Sequence, residues 1–313
     1  KARFDEANNI AWSRRLEEAG VHVVYGVVGY KVHAKVCLVV RRDDDGLRRY
    51  VHLGTGNYNP ATARLYTDLS LLTCRPDLGE DATTLFNLLT GVCQHRPTRQ
   101  LVLAPFELHA RVQALIRREA DHARAGLPAR IVAKMNALED EDTIASLYEA
   151  SRAGVEIDLV IRGICCLRPG VPGLSERIRV RSIIDRFLEH SRIYVFGPDD
   201  DAEVFISSAD WMPRNFFRRV EVMVPIENPA LQSRILREIV PAYLADNTRA
   251  RTMRPNGTFT LTRPAPGEPP VRCQSLFLDE RAELPLPGAD PSPPPPARRE
   301  PGGGRRVRRS GRR

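Results

Sequence analysis

The chain has 313 residues, and 42% of them are hydrophobic, spread over most of its length. That is enough for roughly two domains with real cores. The net charge of +8 implies little about partners, because eight Arg and one Glu fall in residues 291–313 and leave the first 290 nearly neutral. Any polyanion site must therefore come from local clustering. No run of about 18 uncharged apolar residues occurs, so no transmembrane helix is expected, and the first ten residues hold no apolar signal core. The six cysteines form no C-x-x-C pair. They point away from a zinc site or a thiol catalyst and toward free, buried thiols in a reducing cytosol.

In chain order, residues 5–19 fit a helix with Phe4, Ile10, Trp12 and Leu16 turned inward and Gly20 at its end. The chain begins without Met inside this pattern and reads as a fragment. "VHVVYGVV" (21–28) predicts a strand, and "KVHAKVCLVV" (31–40) a second one. "RRDDDGLRR" reads as a hairpin loop and "YVHLGTGNYN" as the returning strand. Residues 79–90 predict a helix, and a break falls at 94–106. Helices follow at 107–125 and 140–153, with a strand in "RIVAKMNAL" between them and a buried strand in "VEIDLVIRGICCL" after Gly154. "RIRVRSIIDRFLEHSRIYVFG" and "EVFISSADW" read as further strands, the former partly helical, and a helix at 229–245 closes the unit. From residue 259 onward the chain reads as a disordered Pro-, Gly- and Arg-rich tail.

The two halves repeat one pattern. Each has a helix, then Ala-Gly-Val (19–21 and 153–155), then an apolar strand. Each next carries a strand with His-x-Lys or His-x-Arg, namely His33-Ala-Lys35 and His190-Ser-Arg192. A partner then ends in small polar residues, "GTGN" (54–57) or "SSAD" (207–210). Such a repeat predicts two related domains, 1–96 and 97–258, that form one site from both histidines.

The strand 31–40 would place Lys31, His33 and Lys35 on one face. An edge strand with solvated lysines has the same pattern. The repeat favours a chemical reading. A neutral imidazole is a good nucleophile near pH 7, and neighbouring cations stabilise a phosphoryl group in transfer. Gly54, Thr55 and Gly56 allow close backbone approach. "RVRSIIDR" adds Arg179, Arg181 and Arg186, which fit either a polyanion channel or a solvated strand edge. His22, His52, His95, His109 and His122 lack such context and read as structural.

The His-x-Lys strand followed by a Gly-rich strand ending in Asn resembles the phospholipase D superfamily. "KARFDE", "GVHVVYGVVGYKVHAKVCLV", "HLGTGNYN", "TARLYTDLSLLT", "VIRGICCLRPG" and "ISSADWMPRN" together resemble the histidine-phosphorylated polyphosphate kinases over about residues 1–255. The resemblance implies an α/β fold of two phospholipase D-like domains, each a mixed sheet flanked by helices. It implies reversible transfer of the terminal phosphate of ATP to polyphosphate, with ADP as the other product and Mg2+ as cofactor. His33 would be the phosphorylated nucleophile, and His190 a second histidine near the nucleotide, with Lys35 and Arg192 as the paired cations. Tyr66 and Arg162 match nucleotide-binding positions, and Lys31 and Asn57 would contact phosphate. Arg3 matches an arginine of the magnesium site and would act through the phosphates that the metal bridges. The superfamily's hydrolases carry Asp five residues after the cation, where this chain has Val40 and Gly197. That departure favours a kinase over a phosphodiesterase of phospholipid or nucleic acid; an inactive polyphosphate-binding fragment is the third alternative. No nucleic-acid partner is expected. The family implies a cytoplasmic setting, with peripheral attachment to the inner membrane and a homo-oligomeric full-length protein as further expectations.

Overall fold

The computed structural model describes residues 6–92, 94, 96–198 and 201–279. The chain opens with helix α1 (Glu6–Glu18). Strands β1 (Lys31–Val32), β2 (Val36–Asp43) and β3 (Gly46–Gly54) follow, then the short helix α2 (Pro60–Ala63). Strands β4 (Tyr66–Thr67) and β5 (Ser70–Thr73) lead to helix α3 (Pro76–Leu89). After the break come β6 (Val102–Ala104), α4 (Leu108–Arg124), β7 (Arg130–Met135), α5 (Glu141–Ala153), β8 (Glu156–Ile161) and β9 (Ile178–Ile183). Next are β10 (Leu188–Glu189), β11 (Ile193–Phe196), β12 (Glu203–Ser207), α6 (Pro213–Arg218) and β13 (Arg219–Pro225). Helix α7 (Pro229–Arg234) runs through a π-helical turn, Ile235–Ile239, into α8 (Val240–Ala245). Strands β14 (Ala250–Met253) and β15 (Phe259–Leu261) and helix α9 (Cys273–Leu278) complete the described part.

The expected mixed α/β architecture is present. A ten-stranded sheet runs β1-β13-β12-β11-β7-β8-β9-β14-β15, with β6 also on β13. Its centre, β7 and β8, is parallel and joined across α5, as a crossover helix demands. The ends of α5 are set locally: the Asp140 carboxylate caps Thr143 N–H, and Gly154 takes a left-handed φ of 113° that a side chain would resist. Alternation along β7 separates two cores. Ile131, Ala133 and Met135 pack against α4 and α5, whereas Val132 joins the core on the opposite side. A second sheet, β2-β3-β5, is antiparallel. It packs Val51 and Leu53 against Leu78, Ala82 and Leu85 of α3.

Several expectations need correction. Residues 21–28 form no strand, only a bridge between Val27 and Tyr30, because among the described residues no neighbouring strand accepts their backbone groups and an unpaired strand is not stable. The apolar stripe of α1 is not buried: Trp12 is 51% and Ile10 52% exposed. Phe4 lies outside the described residues. Segment 31–40 is not one strand; it breaks at 33–35, where the N–H groups of His33 and Ala34 both donate to Val220 O. "RIRVRSIIDRFLEH" contains no helix. The thiols of Cys37, Cys74 and Cys166 are exposed, and only Cys273 is buried among the described cysteines. The tail begins later than residue 259, since β15 and α9 are ordered parts of the second unit and Val271, Cys273 and Gln274 are buried. The rest of that expectation, from residue 280, lies outside the described residues. No helix of the described residues is long and apolar enough to cross a membrane.

Candidate active site

Two short parallel pairings stitch the halves together. β1 from the first half pairs with β13, aligning Lys31 with Arg219. β10 from the second pairs with β4, aligning Leu188 with Tyr66. Since His33 and His190 each lie two residues beyond the start of β1 and β10, the two junctions are counterparts.

Each junction delivers a carboxylate from the opposite half to a histidine. His33 Nδ1 lies 2.8 Å from Glu221 Oε2, and His190 Nδ1 lies 2.8 Å from Asp68 Oδ1. A carboxylate at Nδ1 accepts the Nδ1–H of a neutral ring, which leaves Nε2 as a free lone pair. The carboxylates are held in turn by the small polar turns. Ser208 Oγ donates to Glu221 at 2.5 Å, and Thr55 Oγ1 donates to Asp68 at 2.6 Å. Asn215 Nδ2 also donates to Glu221, which is wholly buried. Gly56 is required here, because a Cβ in its place would sit 2.4 Å from Asp68 Oδ2.

The paired cations repeat a motif as well. Lys35 Nζ donates to His33 O, and Arg192 Nη1 donates to His190 O at 2.5 Å. Their freedom differs. Arg192 is buried in a bidentate pair with Asp210, at 3.1 and 3.2 Å, so most of its donors are spent. Among the described residues Lys35 has no such partner, and it is nonetheless buried. Burial pushes its ammonium pKa down to about 7, against the pull of Glu221, with Arg192 and Arg219 adding to the depression. Burial is also the main cause that lowers the His33 pKa below 6.5, with Glu221 opposing it. His190 is lowered in the same way, opposed by Asp68. Both imidazoles are therefore predominantly neutral at pH 7. Lys35 acts electrostatically on both histidines, so the two half-sites form one field.

The other expected residues divide. The Tyr66 ring lies 5.0 Å from the His190 ring. Arg162 Nη2 donates to Asn136 Oδ1, and its charge is coupled to Arg192, Asp210 and Tyr66. Its buried Nε has no hydrogen-bond partner among the described residues. These two belong to the cluster. Lys31 is exposed beside Arg219, and Asn57 is an exposed loop residue; neither is drawn into the network of described residues. The half-exposed Arg179 guanidinium is paired with Asp158 and Glu156, which fits the solvated strand edge. Arg3 lies outside the described residues.

Sequence reasoning missed Asp68, Glu221 and Arg219. A signal was available: Asp68 follows Thr55, and Glu221 follows Ser208, by the same 13 residues. Arg219 is then the counterpart of Tyr66, and its charge contributes to lowering both His33 and Lys35.

Comparison with known proteins is decisive for the family. The model of "Polyphosphate kinase C-terminal domain 1" matches residues 1–95, and that of "Polyphosphate kinase C-terminal domain 2" matches residues 101–274. The chain belongs to the polyphosphate kinase family. It is 59% identical over 278 residues to a polyphosphate kinase of Thermosynechococcus vestitus, covering 89% of this chain and 38% of the relative. It is 56% identical over 277 residues to that of Synechocystis sp., covering 88% of this chain and 38% of the relative. The crystal structure of polyphosphate kinase from Porphyromonas gingivalis superposes with a TM-score of 0.80 at 39% identity, over 88% of this chain and 42% of that one. The chain thus spans about two fifths of the length of the relatives that it matches.

Proposed function

We propose that this chain carries the phosphoryl-transfer site of a polyphosphate kinase, formed where segments 1–96 and 97–258 meet. The observation that supports it most is the reciprocal pair of histidines, each holding a carboxylate from the other half at Nδ1 and keeping Nε2 free. His33 Nε2 attacks the terminal phosphorus of ATP. A nitrogen–phosphorus bond forms, the bond to the bridging oxygen breaks, and ADP leaves with that oxygen. The imidazolium that develops is stabilised by Glu221. A terminal oxygen of polyphosphate then attacks the phosphorus and displaces His33, lengthening the polymer by one phosphate. The reverse sequence consumes polyphosphate.

His190 serves the transfer through its own Nε2, by a hydrogen bond or proton to the phosphoryl oxygens, and Asp68 sets its tautomer. Lys35, Arg219 and Arg162 supply positive charge around the transferred group, where phosphoryl transfer depends mainly on position and electrostatics. Arg192 contributes its charge from beneath rather than as a free donor. Tyr66 borders the nucleotide, and Lys31 and Asn57 reach phosphate only at the rim.

Magnesium enters as part of the nucleotide substrate. Among the described residues no group of three or more His, Cys, Asp or Glu is arranged to hold a metal ion, and Asp68, Glu221 and Asp210 are each engaged by His or Arg. This donor set does not fit a resident ion, and no step is assigned to one.

The test is acid-labile phosphate on His33 after incubation with ATP, in the protein extended to the relatives' length. His33→Gln keeps the bulk and lacks the nucleophile; it is expected to take up no label and to make no polymer. Label on His190 in place of His33 would reverse the two roles, and more than a few per cent residual synthesis would refute the assignment.

A further inference from the structure

The repeat breaks at one informative position. If His33 matches His190, then Val32 matches Glu189. Val32 is exposed. Glu189 is buried, and its partner is Lys134 of β7, also buried, at 3.0 Å. Alternation along β7 points Lys134 into the core that Val132 joins, where an apolar residue would pack without loss of solvation. A buried ion pair adds little dependable stability, since desolvation consumes much of the attraction. Its place immediately beside a site histidine asks for another account.

The hydrogen bonds supply one. Lys134 Nζ donates to Ser191 Oγ at 2.8 Å and to Ser191 O at 3.2 Å. The Tyr243 ring covers it at 4.6 Å. Glu189 Oε2 accepts from Thr67 Oγ1 at 2.9 Å, and Oε1 accepts from Gln274 Nε2 at 2.6 Å. Glu189 and Ser191 flank His190, so one ammonium grips both of its neighbours. Thr67 completes the loop, because His190 N–H lies 3.2 Å from both Thr67 O and Thr67 Oγ1. The next residue is Asp68, which holds the His190 ring. The Thr67 bonds fix β10 against β4, and that register sets the His190–Asp68 contact, while Lys134 and Gln274 fasten the same segment to β7 and α9.

We infer that the buried Lys134–Glu189 pair is a positioning device for His190: it clamps the backbone on both sides of the imidazole and, through Thr67, fixes Asp68 against Nδ1. Lys134 and Glu189 touch no reacting atom; they act through His190. The inference deepens the proposed phosphoryl transfer and rests on it. At the position in the first half that matches Glu189 stands Val32, which is exposed and carries no charge.

Charge balance alone is the competing account, and a double substitution separates the two. Lys134→Met with Glu189→Gln removes both charges together and leaves no uncompensated ion. It is made in the protein extended to the relatives' length, beside Thr67→Val and Thr67→Ser. The readouts are kcat and KM for ATP in polyphosphate synthesis, the melting temperature, and the 15N spectrum of the His190 ring. The expected double variant is folded and loses roughly 10²-fold in kcat, the scale of a displacement of about 1 Å. Its KM stays unchanged, and its His190 ring no longer shows a single Nδ1–H tautomer. Thr67→Val is expected to fall in kcat as well, and Thr67→Ser to keep it. A folded double variant with the parent kcat overturns the inference. Should the double variant fail to fold, Thr67→Val decides: an unchanged kcat and His190 spectrum overturn it. If the parent makes no polyphosphate, the proposed reaction fails, and the His190 spectra still judge the clamp.

Discussion

His33, Lys35 and His190 sit in a field that should make the proposed reaction sensitive to pH on both sides of neutrality. Burial lowers the His33 pKa, so in the proposed role as nucleophile its neutral form would be lost only as pH falls through a value below 6.5. The Lys35 pKa lies at about 7, so its positive charge is lost as pH rises through that value. Activity is therefore expected to follow a narrow bell in kcat/KM, its alkaline limb set by Lys35. Bound phosphates favour the charged ammonium, so the alkaline limb of kcat should lie higher than that of kcat/KM. Lys35→Arg, which cannot lose its charge in this range, should remove the alkaline limb; its persistence in that variant would show that another group titrates. His190→Ala is expected to cost roughly 10²–10⁴ in rate, as general acid–base groups do, while the melting temperature holds. Gly56 makes a more stringent test of the Asp68 contact. Gly56→Ala forces a methyl group within 2.5 Å of Asp68 Cγ, so the carboxylate must leave His190. Overpacking of this kind costs about 1–3 kcal/mol, and turnover should fall about 10²-fold for a misplacement of that size. Turnover at the parent level would mean that Asp68 does not orient the ring.

Among the elements, the short helix α9 ties several distant segments together. Its six residues bring Gln274 to Glu189 and to both backbone groups of Phe187. Cys273 N–H donates to Asp246, which also receives three N–H groups from 248–250. A chain ended at residue 261 should therefore melt several degrees below one ended at 279 and lose most of its activity; equal melting temperatures would show that α9 is peripheral. The sequence conceals this helix, because six residues between prolines give no helical period and the burial of Gln274 depends on Glu189, 85 positions away. Helices α4 and α5 and the strands β7, β8, β11 and β12 were legible, since their apolar spacing and the Gly154 stop are local. The strand expected at 21–28 failed for the opposite reason. Its residues have strand propensity, but a strand is completed by a neighbour, and propensity does not say whether one is present. His33 and His190 could be found because the repeat marks them twice. Their carboxylates were hidden until the fold showed that each histidine draws on the other half, although the shared spacing of 13 residues was there to be read.

At the scale of the molecule, the halves are joined by more than contact. β1 continues the large sheet of the second half, and β10 pairs with β4 of the first. The connection between halves is tied down where the Asp81 carboxylate accepts the N–H groups of Arg99, Gln100 and Leu101. Thermal unfolding should be a single transition, with circular dichroism and the His33 ring signal changing together; two separated transitions would show that the halves fold independently. The outer face of β2-β3-β5 presents an apolar surface, with Leu72 78% and Val39 50% exposed, alongside the uncovered stripe of α1. Extending the chain to the relatives' length should raise the melting temperature if added residues cover these faces, a comparison that calorimetry can make directly. The exchange of carboxylates also has a consequence in time. His33 leaves the ribosome 188 residues ahead of Glu221, which at roughly 5–20 residues per second is a delay of about 10–40 s. Through that interval the imidazole has no carboxylate to fix its tautomer or to stabilise its charged form. On the proposed reaction, a chain abandoned part-way would carry a histidine that cannot hold phosphate in the manner of the finished site, and the capacity to take phosphate would be withheld until the second half has been made and folded.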